Sequence, residues 1–262
     1  MTYLMKSVSY NGDLPKQGEI PSELLDLILK NDVLVELVYG NEPYQVIIGV
    51  PHQAANGITL IAENWKNTKR NKMGRKSDES VATFALAAFS NLRDLEISCK
   101  LVIAAHATDH DPNKDTRSPY CQSILADQSE LLFDCHGAAS SRKHDLELSA
   151  GSNLLSNPLR FGRMLAQELD YQYSLACQKL PGDNKAFLTE QNGNETDTYL
   201  KLPGLNTDSL IEAQTLSTPA LHLEAKPKFR KPADKRNIIT PDGLRLGRAI
   251  AHTIANYLTT DN

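Results

Sequence analysis

The sequence predicts a single α/β domain, and three observations point to it. Apolar runs of strand length alternate with longer stretches in which apolar residues recur at helical spacing. A length of 262 residues suits one large domain or two small ones. No internal repeat, low-complexity tract or linker interrupts the alternation. We therefore expect one domain over residues 1–262, with a polar insertion at about residues 178–217.

The composition argues against several classes of protein. Hydrophobic residues make up 40% of the chain and charged residues 23%, as in an ordinary globular protein. A formal net charge of −4 gives no general attraction to nucleic acid or to a membrane surface, so we expect neither as a partner. The longest apolar runs are too short to cross a bilayer, and the first residues carry no signal-peptide pattern. The expected location is therefore cytoplasmic.

The beginning of the chain predicts a helix followed by two strands. Residues 21–30 place apolar side chains on one helical face. Residues 33–38 and 44–50 have strand composition, and the GNEP turn between them predicts a hairpin or a pair of adjacent strands. The second run ends at Pro51 and His52, which places His52 at the carboxyl tip of a buried strand.

A long amphipathic helix is predicted over residues 77–92. Its apolar side chains recur at positions i, i+3, i+4, i+7, i+8 and i+11, which all lie on one helical face. Ser77 can cap the helix, and Asp78 and Glu79 would lie in its first turn, where the helix dipole favours negative charge.

The rest of the chain continues the alternation of strands and helices. Strand patterns occur at residues 100–105, 130–135 and 220–225, and helix patterns at residues 159–175 and from Thr240 onward. A polar loop is expected at residues 106–120.

Polar side chains follow the predicted strands where the carboxyl ends of the strands meet, which is where open α/β sheets bind ligands. These side chains are His52, the loop with Asp111, Asn113 and Lys114, then His136 and Glu224. A hydrolytic zinc site needs three ligands from His and carboxylate side chains, an open position and a separate carboxylate base. The sequence supplies nitrogen ligands at His52 and His136, an oxygen ligand at Asp78 or Glu79, and a base at Glu224.

Each of these residues also has a structural interpretation. A histidine at a strand end often serves only a hydrogen bond, and acidic residues at a helix start need no metal. Glu224 could face solvent if its strand lay at the edge of the sheet. The motifs GxSxG, GxxxxGK[ST] and GxGxxG are absent, which argues against a serine hydrolase, a P-loop nucleotidase and a dinucleotide-dependent dehydrogenase, respectively. The compact zinc motif HExxH is absent as well.

Five short motifs occur in an order that resembles the N-formylglutamate amidohydrolase-like family. They are VPHQAANG, RKSDES, HDPNKDTRSPY, FDCHGAAS with DLELSAGSN, and LHLEAKPKFRK. The resemblance covers residues 47–151 and, less closely, 219–232. It implies a three-layer α/β sandwich with a mixed, mainly parallel central sheet and one catalytic zinc. This is the zinc carboxypeptidase or phosphorylase/hydrolase type of fold, to which the aspartoacylases also belong.

The resemblance also implies roles for individual residues. Zinc would be held by His52, Glu79 and His136, with Asp78 as the competing acid. Glu224 would be the general base and later the proton donor. Two positions depart from the family, because Gln53 and Ala138 stand where it often has a further His or Ser.

A substrate carboxylate is the expected target of the basic residues near the site. In relatives the loop of Asn113 and Lys114 offers an Asn and an Arg, so Lys114 can make only a point-charge contact unless Arg117 replaces it. Arg230 could also bind the substrate, although in the basic run KPKFRK it could equally be a solvated surface charge.

We therefore expect zinc-dependent hydrolysis of an amide bond in an N-acyl amino acid, such as an N-formylglutamate-like compound, or in a short acidic peptide. The alternatives are a non-catalytic binding or scaffold protein that keeps the hydrolase fold, and a metal-free ligand-binding domain. The expected partner is a small molecule with a carboxylate. The apolar faces of the helices can pack against a core or against a second copy, so a homo-oligomer is also possible.

Overall fold

The computed structural model describes residues 6–16, 18–30, 33–54, 78–105, 118–141, 145–150, 158–176, 218–231 and 237–260. In these ranges the strands are β1 (Lys6–Ser9), β2 (Val33–Tyr39), β3 (Tyr44–Ala54), β4 (Asp78–Glu79), β5 (Cys99–Ala105), β6 (Ser129–Gly137), β7 (Leu146–Ala150) and β8 (Ala220–Ala225). The helices are α1 (Ser22–Ile28), α2 (Ala82–Asp94), α3 (Pro119–Ala126), α4 (Pro158–Ala176) and α5 (Pro241–Thr260).

All eight strands belong to one mixed, mainly parallel sheet. Seven of them follow the order β1-β2-β5-β3-β6-β8-β7, and β4 pairs with the carboxyl end of β3. The four central strands β5, β3, β6 and β8 run parallel. Strands β2 and β7 run antiparallel to their neighbours β5 and β8. The carboxyl ends of the central strands therefore meet at one edge of the sheet.

Helices cover both faces of the sheet, so the domain has three layers as predicted. On one face a large apolar core packs against α1, α2, α4 and α5. On the other face a smaller cluster packs against α3. Helices α2 and α5 approach closely at Gly247. A Cβ at this position would lie only 2.4 Å from the Cβ of Ala87, so only glycine fits there.

The predicted pairing of the strands on either side of the GNEP turn is wrong. Strand β5 lies between them, and its residues Cys99–Ala105 pair along the whole of β2 and also with β3. All seven residues of β5 are buried. Such a strand needs a neighbour on each side, and this requirement outweighs the local preference of the turn.

The predicted first turn of the long helix is also wrong. Asp78 and Glu79 form β4, and Ser80 then takes a positive φ of 61° that ends the strand. Helix α2 begins only at Ala82, whose backbone N–H donates to Oε1 of Gln53 at 2.9 Å. The side chain of Gln53 therefore supplies the N-terminal acceptor that the sequence assigned to Ser77, which lies outside the described residues.

The other helix predictions are confirmed, and one helix is additional. The closing helix begins as predicted, with Oγ1 of Thr240 accepting from the N–H of Gly243 at 2.9 Å. Helix α3 is the additional one, and it begins at Pro119, near the end of the predicted polar loop, whose residues 106–117 lie outside the described residues. Oγ of Ser118 accepts from the N–H of Cys121 at 3.0 Å. Within the described ranges, none of the helices combines the length and the apolar character needed to cross a membrane. The polar insertion at 178–217 lies outside the described residues.

Candidate metal centre

Three adjacent parallel strands deliver polar side chains to the same edge of the sheet. His52 lies near the carboxyl end of β3, His136 near the end of β6 and Glu224 near the end of β8. In the register of β6 and β8, His136 lies opposite Glu224. The fold therefore brings together three residues that are far apart in the sequence.

An irregularity in β3 turns His52 toward β6. The register between β3 and β5 shifts between Val50 and Gln53, where β3 has one residue more than its partner. Pro51 lies in this bulge and has no N–H to donate to a neighbouring strand. An extra residue changes the side of the sheet that later side chains face. His52 consequently contacts His136, with the ring centroids 4.9 Å apart.

Two imidazole nitrogens and one carboxylate oxygen, all of them possible metal ligands, form a nearly equilateral triangle at this edge. Nδ1 of His52 lies 3.3 Å from Oδ2 of Asp78 and 3.2 Å from Nδ1 of His136. Nδ1 of His136 lies 3.2 Å from the same carboxylate oxygen. All three residues are buried. An imidazole N–H can point directly at only one partner, so hydrogen bonds alone do not account for all three sides of the triangle.

The triangle has the dimensions of one face of a tetrahedral zinc site. Zinc bonds of 2.0–2.1 Å to His nitrogen and carboxylate oxygen place ligand atoms about 3.3–3.4 Å apart at tetrahedral angles. The observed sides of 3.2 to 3.3 Å agree with that separation. The residues present therefore fit a single divalent ion, and His52, Asp78 and His136 form a group that could hold one.

The two adjacent acids of the RKSDES motif face different partners. Oδ2 of Asp78 is shared by the two histidines, whereas Oε2 of Glu79 forms an ion pair with Nζ of Lys231. Successive side chains of a strand point to opposite sides, and β4 is short and extended. The geometry thus favours Asp78 over Glu79 as the oxygen donor, while the resemblance favours Glu79.

The second nitrogen of His136 is held by a buried carboxylate. Nε2 of His136 lies 2.8 Å from Oδ2 of Asp134, and the hydroxyl of Tyr120 donates to Oδ1 of Asp134 at 2.7 Å. Asp134 and His136 are two residues apart on β6 and therefore lie on the same face.

Burial and hydrogen bonds act in opposite directions on these ionisable groups. Burial by itself would raise the pKa of Asp78, but hydrogen bonds from His136 and His52 hold that pKa well below its usual range. Burial would lower the pKa of His136, but Asp134 and Asp78 raise it to about 9. Asp78 is therefore ionised, which is the state that a metal ligand requires.

His222 and Glu224 lie beside this group on β8. The imidazole of His222 stacks on that of His136, with centroids 4.0 Å apart, and its Nε2 lies 3.6 Å from Oε1 of Glu224. The Glu224 side chain is 24% exposed, so solvent can reach it. Because β8 lies between β6 and β7, the interpretation of Glu224 as a solvent-facing residue of an edge strand is wrong.

A second set of donors, Asp134, His136 and His222, is also close enough to consider as a cation site. Oδ2 of Asp134 lies 2.8 Å from Nε2 of His136 but 3.9 Å from Nδ1 of His222. The short distance is that of a charge-assisted hydrogen bond, and the unequal sides do not match a tetrahedral face. We therefore interpret Asp134 and His222 as residues that hold the ring of His136 in place, and not as ligands of a second cation.

Arg230 is a buried side chain, so its interpretation as a solvated surface charge is wrong. It is only 5% exposed. Its Nε donates to the carbonyl of Ala225 at 3.1 Å and its Nη2 to that of Ala138 at 3.0 Å, while Nη1 donates to the carbonyl of Glu79. One guanidinium thereby links β4, β8 and the residue that follows β6, next to the strand ends that carry the candidate metal ligands.

The other predicted substrate-binding residues, Asn113, Lys114 and Arg117, lie outside the described residues. Sequence reasoning assigned no role to Tyr120, Asp134 or His222. A signal existed for two of them, since Asp134 precedes His136 by two residues and His222 precedes Glu224 by two. At this spacing in a strand, side chains share a face.

No family model and no curated protein matches the chain. Among solved structures, a bacteriophage poly-gamma-glutamate hydrolase is similar over 86% of this chain and 89% of its own, at 13% identity and a TM-score of 0.46. The N-acetylmuramyl-L-alanine amidase Ami1 from Mycobacterium smegmatis is similar over 84% of this chain and 100% of its own, at 12% identity and a TM-score of 0.45.

A metallo-carboxypeptidase from Burkholderia cenocepacia is similar over 87% of this chain and 61% of its own, at 14% identity and a TM-score of 0.44. At these identities a likeness concerns the course of the backbone, and a shared fold does not establish a shared activity.

Proposed function

We propose that this chain is a metal-dependent amide hydrolase that acts on an N-acyl amino acid or a short acidic peptide. The observation that carries the proposal is the triangle of donor atoms with sides of 3.2 to 3.3 Å. In this proposal Nδ1 of His52, Oδ2 of Asp78 and Nδ1 of His136 hold one zinc ion. Two imidazoles and one carboxylate with an open fourth position are typical of hydrolytic zinc sites.

When bound, a divalent ion would supply Lewis-acid activation of water and of the amide carbonyl. Glu224 is proposed as the general base. Glu224 lies opposite His136 in the register of β6 and β8, and its side chain is partly exposed. It would accept a proton from the attacking water and deliver that proton to the nitrogen of the departing amine. The bond that breaks is the C–N bond of the amide, and the products are a carboxylic acid and an amine.

Recognition of a substrate carboxylate is assigned to Asn113, Lys114 and Arg117. The support is the HDPNKDTRSPY motif, since basic and amide side chains suit an anionic group. Arg230 is not part of this assignment, because Nε, Nη1 and Nη2 each donate to a backbone carbonyl. We propose instead that Arg230 holds the strand ends that carry the site.

An assay of amine release from a panel of small amides tests the proposal. The panel contains N-formyl and N-acetyl derivatives of glutamate and aspartate, the matching glutamine and asparagine derivatives, and short acidic peptides. Zinc-loaded wild-type protein should hydrolyse at least one acidic member, lose activity on chelation and regain it with zinc. The Glu224→Gln variant should bind zinc and be at least about 100-fold slower.

If the zinc-loaded wild type hydrolysed no member of the panel, the hydrolase assignment would be wrong and the non-catalytic binding protein would be favoured. If it hydrolysed the neutral derivatives as fast as the acidic ones, the substrate class would be wrong while the reaction type stood.

A further inference from the structure

A chain of two buried hydrogen bonds leads away from the metal centre into the layer beneath helix α3. The Tyr120 hydroxyl donates to Oδ1 of Asp134 at 2.7 Å, and Oδ2 of Asp134 is 2.8 Å from Nε2 of His136. Tyr120, Asp134 and His136 are all buried. Both distances are those of strong, charge-assisted hydrogen bonds.

A glycine on the neighbouring strand leaves room for these two hydrogen bonds. Gly49 on β3 lies opposite Asp134 on β6. A Cβ at position 49 would lie 2.1 Å from the Tyr120 hydroxyl oxygen and 2.6 Å from Oδ1 of Asp134. Any side chain at this position would therefore occupy the space in which the phenol meets the carboxylate.

The position of Tyr120 is set by the start of helix α3. Pro119 is the first residue of the helix, and the side chain of Ser118 caps it by accepting from the N–H of Cys121. Tyr120 is thereby held in the first turn, facing the sheet at the level of Gly49 and Asp134.

The direction of these two hydrogen bonds determines which ring nitrogen of His136 carries a proton. An ionised carboxylate only accepts hydrogen bonds, so the phenol donates to Oδ1 and the imidazole must donate to Oδ2 through Nε2–H. Burial, followed by the negative charge of Asp134, raises the pKa of Tyr120 well above its usual value, so the phenol keeps its proton. Because Nε2 keeps its proton, Nδ1 is the nitrogen whose lone pair becomes available when His136 is deprotonated, and Nδ1 lies close to His52 and Asp78.

We propose that Tyr120 is a positioning residue of the metal centre, which acts through Asp134 to fix the tautomer and the ring orientation of His136. Partners of this kind raise the affinity of a metal-ligating histidine. The inference rests on the metal site of the proposed function but not on hydrolysis. A structural role, in which Tyr120 only fills the apolar layer under α3, predicts no effect on metal affinity beyond a general loss of stability.

The variant Tyr120→Phe separates the two roles, because it keeps the ring and removes one oxygen atom. Tyr44→Phe is the matched control, since Tyr44 is a buried tyrosine of the same apolar cluster at the other end of β3. The experiment measures the zinc dissociation constant by competition with a chromophoric chelator, together with the thermal unfolding of each metal-free protein. Long-range 15N–1H NMR of the metal-free proteins at pH 10, above the pKa of about 9 that Asp134 and Asp78 give His136, reports which ring nitrogen keeps the proton.

We expect Tyr120→Phe to weaken zinc binding about 10-fold or more, and Tyr44→Phe to leave it within about twofold. The His136 signal of the wild type should show the proton on Nε2, and Tyr120→Phe should reduce that preference. If Tyr120→Phe bound zinc as tightly as the wild type, or no more weakly than Tyr44→Phe, the inference would be overturned.

The outcomes also distinguish this inference from the proposed function. A wild type that bound no zinc would contradict both. A wild type that bound zinc with no loss in Tyr120→Phe would contradict only the role of Tyr120. Weakened binding in Tyr120→Phe together with a zinc-loaded wild type that cleaves no amide would uphold this inference and contradict the proposed reaction.

Discussion

Oδ2 of Asp78 lies 3.2 Å from Nδ1 of His136, although 58 residues separate the two in the chain. The two-residue strand β4 makes this contact possible by pairing in parallel with Gln53 and Ala54, the last two residues of β3. The neighbouring Glu79 pairs with Lys231 instead. The backbone direction of β4 therefore favours Asp78 over Glu79 as the proposed oxygen ligand.

Substitution of the two acids should separate their roles. We expect Asp78→Asn to weaken zinc binding by at least about 100-fold, because a neutral amide replaces a charged ligand. Glu79→Gln is the matched control and should bind zinc within a few-fold of the wild type. Isothermal titration with zinc checks both. Loss of binding in Glu79→Gln with retention in Asp78→Asn would instead support the ligand set implied by the family resemblance.

Glu224→Gln should retain zinc and lose turnover by about 100- to 10,000-fold, because the amide cannot accept the proton of the attacking water. The control is Glu147→Gln, since Glu147 lies directly opposite Glu224 on β7. It should keep kcat within a few-fold. Equal losses in both variants would show that overall negative charge, and not a general base at position 224, supports the reaction.

Arg230→Met should destabilise the protein. Three backbone carbonyls lose a charged donor, and a hydrogen bond to a charged group contributes about 1.5–3 kcal/mol. The loss is smaller at Ala225, whose carbonyl still accepts from the N–H of Ala138 at 2.9 Å. We expect the free energy of unfolding, measured with urea, to fall by about 3–6 kcal/mol. Arg93→Met is the control, because its side chain is 42% exposed, and it should change stability by less than about 0.5 kcal/mol. A stable Arg230→Met with a raised KM for acidic substrates would return Arg230 to the substrate-binding residues.

Lys100 should make stability depend on alkaline pH. Its Nζ lies 2.5 Å from Oδ2 of Asp127 and 3.2 Å from Oε1 of Glu36. Burial opposes the charged form, but these two carboxylates outweigh it and raise the pKa of Lys100. A raised pKa means that the stabilisation is fully present below the ordinary lysine value of about 10.4 and is lost as pH rises through the folded-state value.

Urea unfolding of the wild type and Lys100→Met from pH 8 to 11.5 measures this contribution. At pH 8 the variant should be less stable by about 3 kcal/mol, because two partly buried carboxylates lose their cation. The difference should shrink above the ordinary lysine pKa. Lys16→Met, at an exposed position, should show no such convergence. A difference between wild type and Lys100→Met that stayed constant across this range would contradict the sign of the shift.

The sequence predicted those parts of the molecule that depend on local patterns. The central strands and the helices α1, α4 and α5 follow from the spacing of apolar residues, and the cap at Thr240 follows from the proline after it. The order of the strands could not be predicted in this way. The placement of β5 between β2 and β3 depends on burial along both of its sides, which is a property of the assembled sheet.

The candidate site was predictable to a similar extent. The transitions from strand to loop pointed to His52, His136 and Glu224, which the fold brings to one edge of the sheet. The choice between Asp78 and Glu79 was not predictable, because a two-residue strand is too short to show a periodicity. Tyr120 reaches the site only through the packing of α3 on the sheet, so no sequence spacing connects it with His136.

The metal content of the purified protein decides whether His52, Asp78 and His136 form a metal site. Wild type, His52→Ala, His136→Ala and the control His252→Ala, in which a partly exposed histidine of α5 is replaced, would be incubated with zinc, desalted and measured by mass spectrometry of the metal. We expect about one zinc per chain in the wild type and His252→Ala and almost none in the other two variants. A wild type without zinc, or zinc retained in both His52→Ala and His136→Ala, would contradict this metal site.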